Sequence, residues 1–126
     1  MCWFISLNVT MLRKQDDGGV VIAALADRFG LYLKGELPSL HITNGHCSCD
    51  YVLNDGKAIS VAPFVEAVVE DETVKRIGVG WTWSGAMRPD AAMERLAVQE
   101  FVIRNREARL EADIWYRLID PDKRYF

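Results

Sequence analysis

The stretch from Val74 to Trp83 constrains the fold more than any other part of the chain. Ile77, Val79, Trp81 and Trp83 fall on one side of a two-residue repeat, and Gly78, Gly80, Thr82 and Ser84 on the other. The spacing predicts a strand with one large apolar face, which has to be buried beneath a second layer. Its opposite face is small enough for a helix, another backbone or a ligand to come close, and close helix packing is the expected use.

Neighbours for that strand are readable on both sides. Cys2 to Val9 is rich in aromatic and β-branched residues and predicts a first strand. Leu31 and Leu33, then Leu40 and Ile42, alternate with polar or exposed-type residues, giving two half-buried strands separated by Gly35-Glu36-Leu37-Pro38. Tyr51–Leu53 and Lys57–Val61 flank Asn54-Asp55-Gly56, a hairpin signal. Ile114 to Ile119 is the expected last strand.

Three helices are expected. Val21, Ile22, Leu25, Ala26 and Phe29 recur at helical spacing, with Asp16 and Asp17 before them and Gly30 after them as start and stop signals. Pro63 opens a second helix that runs to about Glu70. A third is placed between Met93 and Leu110, with Arg88-Pro89-Asp90 opening a helix or turn. Strands and helices do not alternate cleanly. The expected class is therefore α+β, a single-layer antiparallel or mixed sheet with two to three helices packed mainly on one face, in one compact domain over residues 1–126.

A chain of 126 residues can bury enough surface to fold without a metal or disulfide staple, so neither is required for folding. Its 15 Lys and Arg stand against 18 Asp and Glu, a net charge of -3 with no long basic run, which argues against a nucleic-acid partner. The longest apolar run, Val20 to Ala26, is too short to cross a bilayer, and no membrane association is expected. Three cysteines at low density, with no basic leader ahead of the first apolar stretch, predict reduced thiols and a cytoplasmic protein. Gly78-x-Gly80 lies inside a strand rather than at a strand-to-helix turn, so it is no phosphate loop.

Above this background stands Gly45-His46-Cys47-Ser48-Cys49. Two thiols one residue apart in a turn can face one point. Adding Cys2 and an imidazole from His46 or His41 gives a Cys3His set of the kind zinc takes, although the second Cys pair of zinc knuckles and ribbons is missing. The same residues admit a redox-active dithiol, strained by its one-residue spacing. They also admit a nucleophilic Cys2 or Cys47, with His41 a possible partner for Cys2. A Met-Cys start resembles that of the N-terminal-nucleophile amidotransferases, whose double-layered fold needs a considerably longer chain. Cysteine is also an ordinary small core residue.

Two further features suggest a partner. Trp81 and Trp83 are residues of the kind that anchor interfaces, and Glu66, Glu70, Asp71 and Glu72 form an acidic helix end suited to a basic protein surface. With no catalytic set assigned, the leading expectation is a small acidic protein-binding or inhibitory module of the immunity or antitoxin type. The alternatives are a zinc or thiol-redox protein centred on His46-Cys47-x-Cys49, and a small thiol-dependent enzyme. No cofactor other than zinc is expected.

Met1-Cys2 with its aromatic-aliphatic strand, Leu40 to Cys49, Trp81-x-Trp83-Ser84-Gly85 and Tyr116-Arg117-Leu118 together resemble a loose family of small bacterial proteins. Its members begin Met-Cys and carry Gly-His-Cys-x-Cys mid-chain, and this chain has Asp50 where that pattern has glycine. The resemblance implies a fold and a bacterial origin, and it assigns no activity either way.

Overall fold

The computed structural model describes residues 2–12, 18–83 and 85–123. In chain order the elements are β1 (Phe4–Met11), α1 (Gly18–Arg28), β2 (Tyr32–Glu36), β3 (Ser39–Thr43), β4 (Val52–Leu53), β5 (Ala58–Ile59), α2 (Ala62–Glu70), β6 (Val74–Thr82), β7 (Ala92–Ala97), α3 (Val98–Arg106) and β8 (Ile114–Ile119). A single 3-10 turn, Asn54–Gly56, joins β4 to β5. The protein is α+β: six strands form one mixed sheet in the order β2-β3-β1-β6-β8-β7, and β4 and β5 pair separately. Asp16 and Asp17, expected ahead of α1, and Ser84, expected on the small face of β6, lie outside the described residues.

The long alternating strand sits near the middle of the sheet, antiparallel to β1 on one side and to β8 on the other. Its Ile77, Val79 and Trp81 are fully buried beside Ile5 and Leu7 of β1 and Tyr116 and Leu118 of β8. Helix residues Ile22, Phe64, Val68 and Phe101 complete the same apolar cluster. Phe64 and Phe101 are fully buried, and each contributes about 1.5–3 kcal/mol by leaving water. The Trp81 indole N–H is satisfied inside the core by the Gly56 carbonyl at 2.7 Å. No helix is long and apolar enough to cross a membrane among the described residues.

One expectation is narrowed and another needs correction. The third helix falls inside the expected interval between Met93 and Leu110, at Val98–Arg106, and the residues ahead of it form a strand that was not expected. Ala92–Ala97 is an edge strand, parallel to β8 from Ala92 opposite Ile114 to Ala97 opposite Ile119, and α3 is the crossover between them. Ala-Met-Glu-Arg-Leu-Ala is built from helix formers, and pairing with β8 overrides that weak preference. The strand also buries too little to print an alternation on its sequence.

The small face of β6 receives no helix among the described residues. Instead the loop after β6 folds back over it, and an ideal Cβ on Gly80 would lie 2.7 Å from the Met87 methyl. Met87 is buried there, and its backbone N–H approaches the Ser6 hydroxyl at 3.5 Å.

Candidate metal centre

The cysteine turn is shaped by its neighbours before its thiols matter. Asn44 closes the loop: its side-chain oxygen accepts the His46 and Cys47 N–H groups, each at 3.3 Å, and its own N–H donates to the Cys47 carbonyl at 3.0 Å. The Asn44 amide nitrogen donates to Asp50 at 2.6 Å, so the residue at the unusual position fastens the turn. Gly45, at φ 105, takes the left-handed conformation the turn requires.

Ser48 then docks the loop onto the sheet. Its hydroxyl accepts the Ile5 N–H at 2.8 Å and donates to the Ile42 carbonyl, tying the turn to β1 and β3. The Ser48 N–H donates to the Trp3 carbonyl at 2.9 Å. The side chain of Ser48 is buried, and the cysteines on either side of it are carried to the start of β1, where Cys2 stands.

The result is a cluster of three free thiols. The sulfurs of Cys2, Cys47 and Cys49 all lie within 4.8 Å of one another. Cys47 is buried, Cys2 half-buried and Cys49 exposed. The Trp3 N–H donates to the Cys49 sulfur at 3.3 Å. The backbone amide of Cys49 lowers the Cys47 thiol below its ordinary value, with the Cys49 side chain adding to the effect. Hydrogen bonds to the Cys47 and then the Cys49 sulfur, with burial, hold the Cys2 proton on and push its pKa up to about 11. The backbone donor thus favours the thiolate at Cys47, while Cys2 keeps its proton and donates it within the cluster.

Trp3, next to Cys2 in the chain, turns its ring to other partners. Trp3 meets Trp83 edge to face with ring centroids 5.2 Å apart. The Trp3 ring lies so close to Gly56 that an ideal Cβ there would be 2.6 Å from its Cη2 atom. Gly56 also has φ 89, so this position favours glycine on two counts.

Of the five residues expected as ligands, the structure brings together Cys2, Cys47 and Cys49. Neither histidine nitrogen belongs to the group. His41 sits opposite Ser6 in the β1–β3 register, and its Nδ1 is 3.2 Å from the Ser6 hydroxyl, on the face of the sheet away from the helices. His46 is exposed on the turn.

The expected partner surface is divided. Trp81 is wholly buried and cannot meet a partner in the folded chain, because the apolar face of β6 is the core. Trp83 is 46% exposed, since β6 ends at Thr82 before the alternation can bury it. At the end of α2, Glu70 and Glu72 are exposed while Glu66 and Asp71 are half-buried. Asp71 is occupied by the Thr73 N–H at 2.9 Å and by the Thr73 hydroxyl. The Lys123 ammonium donates to the carbonyls of Val69, Asp71 and Val74, so the chain itself supplies a cation to that helix end.

The sequence singled out the two flanking cysteines and marked Asn44-Gly45 as a turn, but left unread the docking role of Ser48 and the loop-closing hydrogen bonds of Asn44. A serine between two cysteines and an asparagine three residues before the first are the signals that could have found them. Comparison with family models, curated proteins and solved structures gives no match for this chain.

Proposed function

We propose that the protein binds a thiophilic divalent metal ion, zinc in the first instance, through Cys2, Cys47 and Cys49. The observation that carries this reading is the convergence of three sulfurs within 4.8 Å from segments forty-five residues apart. In a tetrahedral zinc site with Zn–S bonds of ~2.3 Å the sulfurs stand ~3.8 Å apart, so the thiols need move by no more than ~1 Å to meet one ion. The donor set is soft and matches zinc rather than magnesium or calcium.

Three protein ligands leave a fourth position for an exchangeable ligand, and exposed Cys49 gives the ion a route from solvent. Zinc with three thiolates carries a net charge of about -1, which makes it a poor activator of water. The centre is therefore suited to holding and exchanging an ion, not to hydrolysis. The hydrophobic core cluster includes none of the three cysteines, and a chain of this length needs no metal staple to fold.

The test is a zinc titration of tag-free, reduced protein against a chromogenic chelator. The expected result is a single equivalent bound, with all three thiols protected from alkylation. Binding that is equally strong in the Cys47→Ser variant would overturn the assignment.

A further inference from the structure

The face of the sheet away from the helices carries a second feature, unrelated to the thiols. A groove of about 410 Å³ lies across β1, β3, β6 and β8, within the range of small-molecule sites. Its floor follows from register: Asn8, Gly78 and Arg117 lie side by side on β1, β6 and β8. Gly78 leaves the floor open, since a Cβ there would make only ordinary contacts, 3.6 Å from the Trp115 ring and 3.9 Å from the Asn8 Cβ. One wall is the loop that packs Met87 onto the sheet. Trp115 fixes that loop, its indole N–H donating to the Arg88 carbonyl at 2.9 Å.

Charge distinguishes this groove from an ordinary uncovered sheet face. The chain is acidic overall, yet among the described residues no carboxylate lines the groove, while Arg76, Arg117 and His41 do. Neither Arg76 nor Arg117 is in an ion pair among the described residues; the pairs join Arg88 to Asp90, Arg104 to Glu94 and Arg109 to Glu107. Arg95 stands opposite Arg117 on β7 and adds a third guanidinium to the same region. Burial and the nearness of Arg76 and Arg95 disfavour the Arg117 charge. Glu36, the acidic residue in the same cross-strand row, is four strands from Arg117, about 19 Å away at the usual strand spacing.

We propose that this groove binds a small planar aryl carboxylate, its ring lying over Gly78 between Trp115 and Met87 and its carboxylate meeting Arg76 and Arg117. A guanidinium fork matches a carboxylate with two parallel N–H···O bonds, and an anion there relieves the crowding of like charge. The apolar wall and the flat glycine floor suit an aromatic body.

The experiment is a titration of ¹⁵N-labelled protein with naphthalene-1-carboxylate, followed by NMR, in parallel with its neutral counterpart naphthalene-1-carboxamide. Saturable shifts are expected at the Gly78 amide and the Trp115 indole, with the carboxylate binding at least about tenfold more tightly than the amide. The double variant Arg76→Gln/Arg117→Gln should erase that difference while leaving the resonances of Phe64 and Phe101 in place. Gly78→Ala, which adds a methyl group to the floor without a clash, should weaken binding several-fold. Equal affinity for acid and amide, shifts located elsewhere, or no shift at millimolar ligand would overturn the proposal. Tighter binding of a short single-stranded oligonucleotide than of the carboxylate would overturn it as well, and would make the face a nucleic-acid surface.

Discussion

The thiol cluster and the cationic groove both hang on β1, yet they are assembled by different means. The groove is a product of strand register: once β1, β6 and β8 pair, Asn8, Gly78 and Arg117 have no choice but to lie in a row. The cluster depends on a loop that must dock, and a single buried hydroxyl, that of Ser48, ties it to both β1 and β3. The floor of the groove is therefore as robust as the sheet itself. The cluster can be undone locally while the sheet stays intact, because its fastening is a few hydrogen bonds at the sheet's end.

The largest separation between the two regions should come from removing a ligand. Cys47→Ser is expected to lower zinc affinity by more than about a hundredfold, beyond the tenfold-to-hundredfold loss usual for outer-shell changes, and to leave naphthalene-1-carboxylate binding unchanged. Competition titrations with each ligand measure both effects on the same sample. A matching loss at the groove would show that the two regions are not independent.

Ser48→Ala probes the fastening instead of the ligands. It leaves the buried Ile5 N–H without its acceptor, at a cost of about 1–3 kcal/mol in urea unfolding. Zinc affinity should fall by about tenfold to a hundredfold, since Cys47 and Cys49 are then less well placed beside Cys2. Ser48→Thr, which keeps the hydroxyl, should recover the metal affinity in part, which a purely steric role would not predict.

The smallest effect concerns the shared core beneath both regions. Burial raises the Tyr116 pKa above its ordinary value, and its hydroxyl oxygen accepts the Glu111 N–H at 2.8 Å. A raised folded-state value means that this contribution is fully present below the unfolded tyrosine pKa of about 10 and is lost as the pH rises through the folded value. Burial lowers Lys123, which acts in the opposite sense over a similar range, so the comparison must be made against Tyr116→Phe. The urea midpoint of metal-free protein should fall more steeply above pH about 10 than that of the variant. Identical slopes would remove Tyr116 from the account.

The difference between the regions also explains what could be read from the residues. The alternation of Ile77, Val79 and Trp81 against Gly78 and Gly80 predicted both the strand and its two unlike faces, because strand periodicity is a local property. Val98–Arg106 and Ile114–Ile119 were likewise within reach. β7 was not, since its helix-forming residues yield to a pairing with β8 that no local pattern records. The cysteine turn announced itself, and Cys2 was named beside it together with His46 and His41, but which of these reach it was not legible. That Cys2 and not a histidine completes the group depends on the docking of Ser48 and on the side of β3 to which His41 points, both set by tertiary structure. The groove was legible only as a strip of small residues, and it was read as a seat for a helix. Met87, arriving from the following loop, took part of that space and left the rest open.

The central claim is that three sulfurs meet one ion. Zinc K-edge X-ray absorption of the zinc-loaded protein tests it directly. The account predicts a first shell of three sulfurs at about 2.3 Å with one lighter ligand at about 2.0–2.1 Å. A shell holding two sulfurs or fewer, or one made wholly of nitrogen and oxygen, would contradict it.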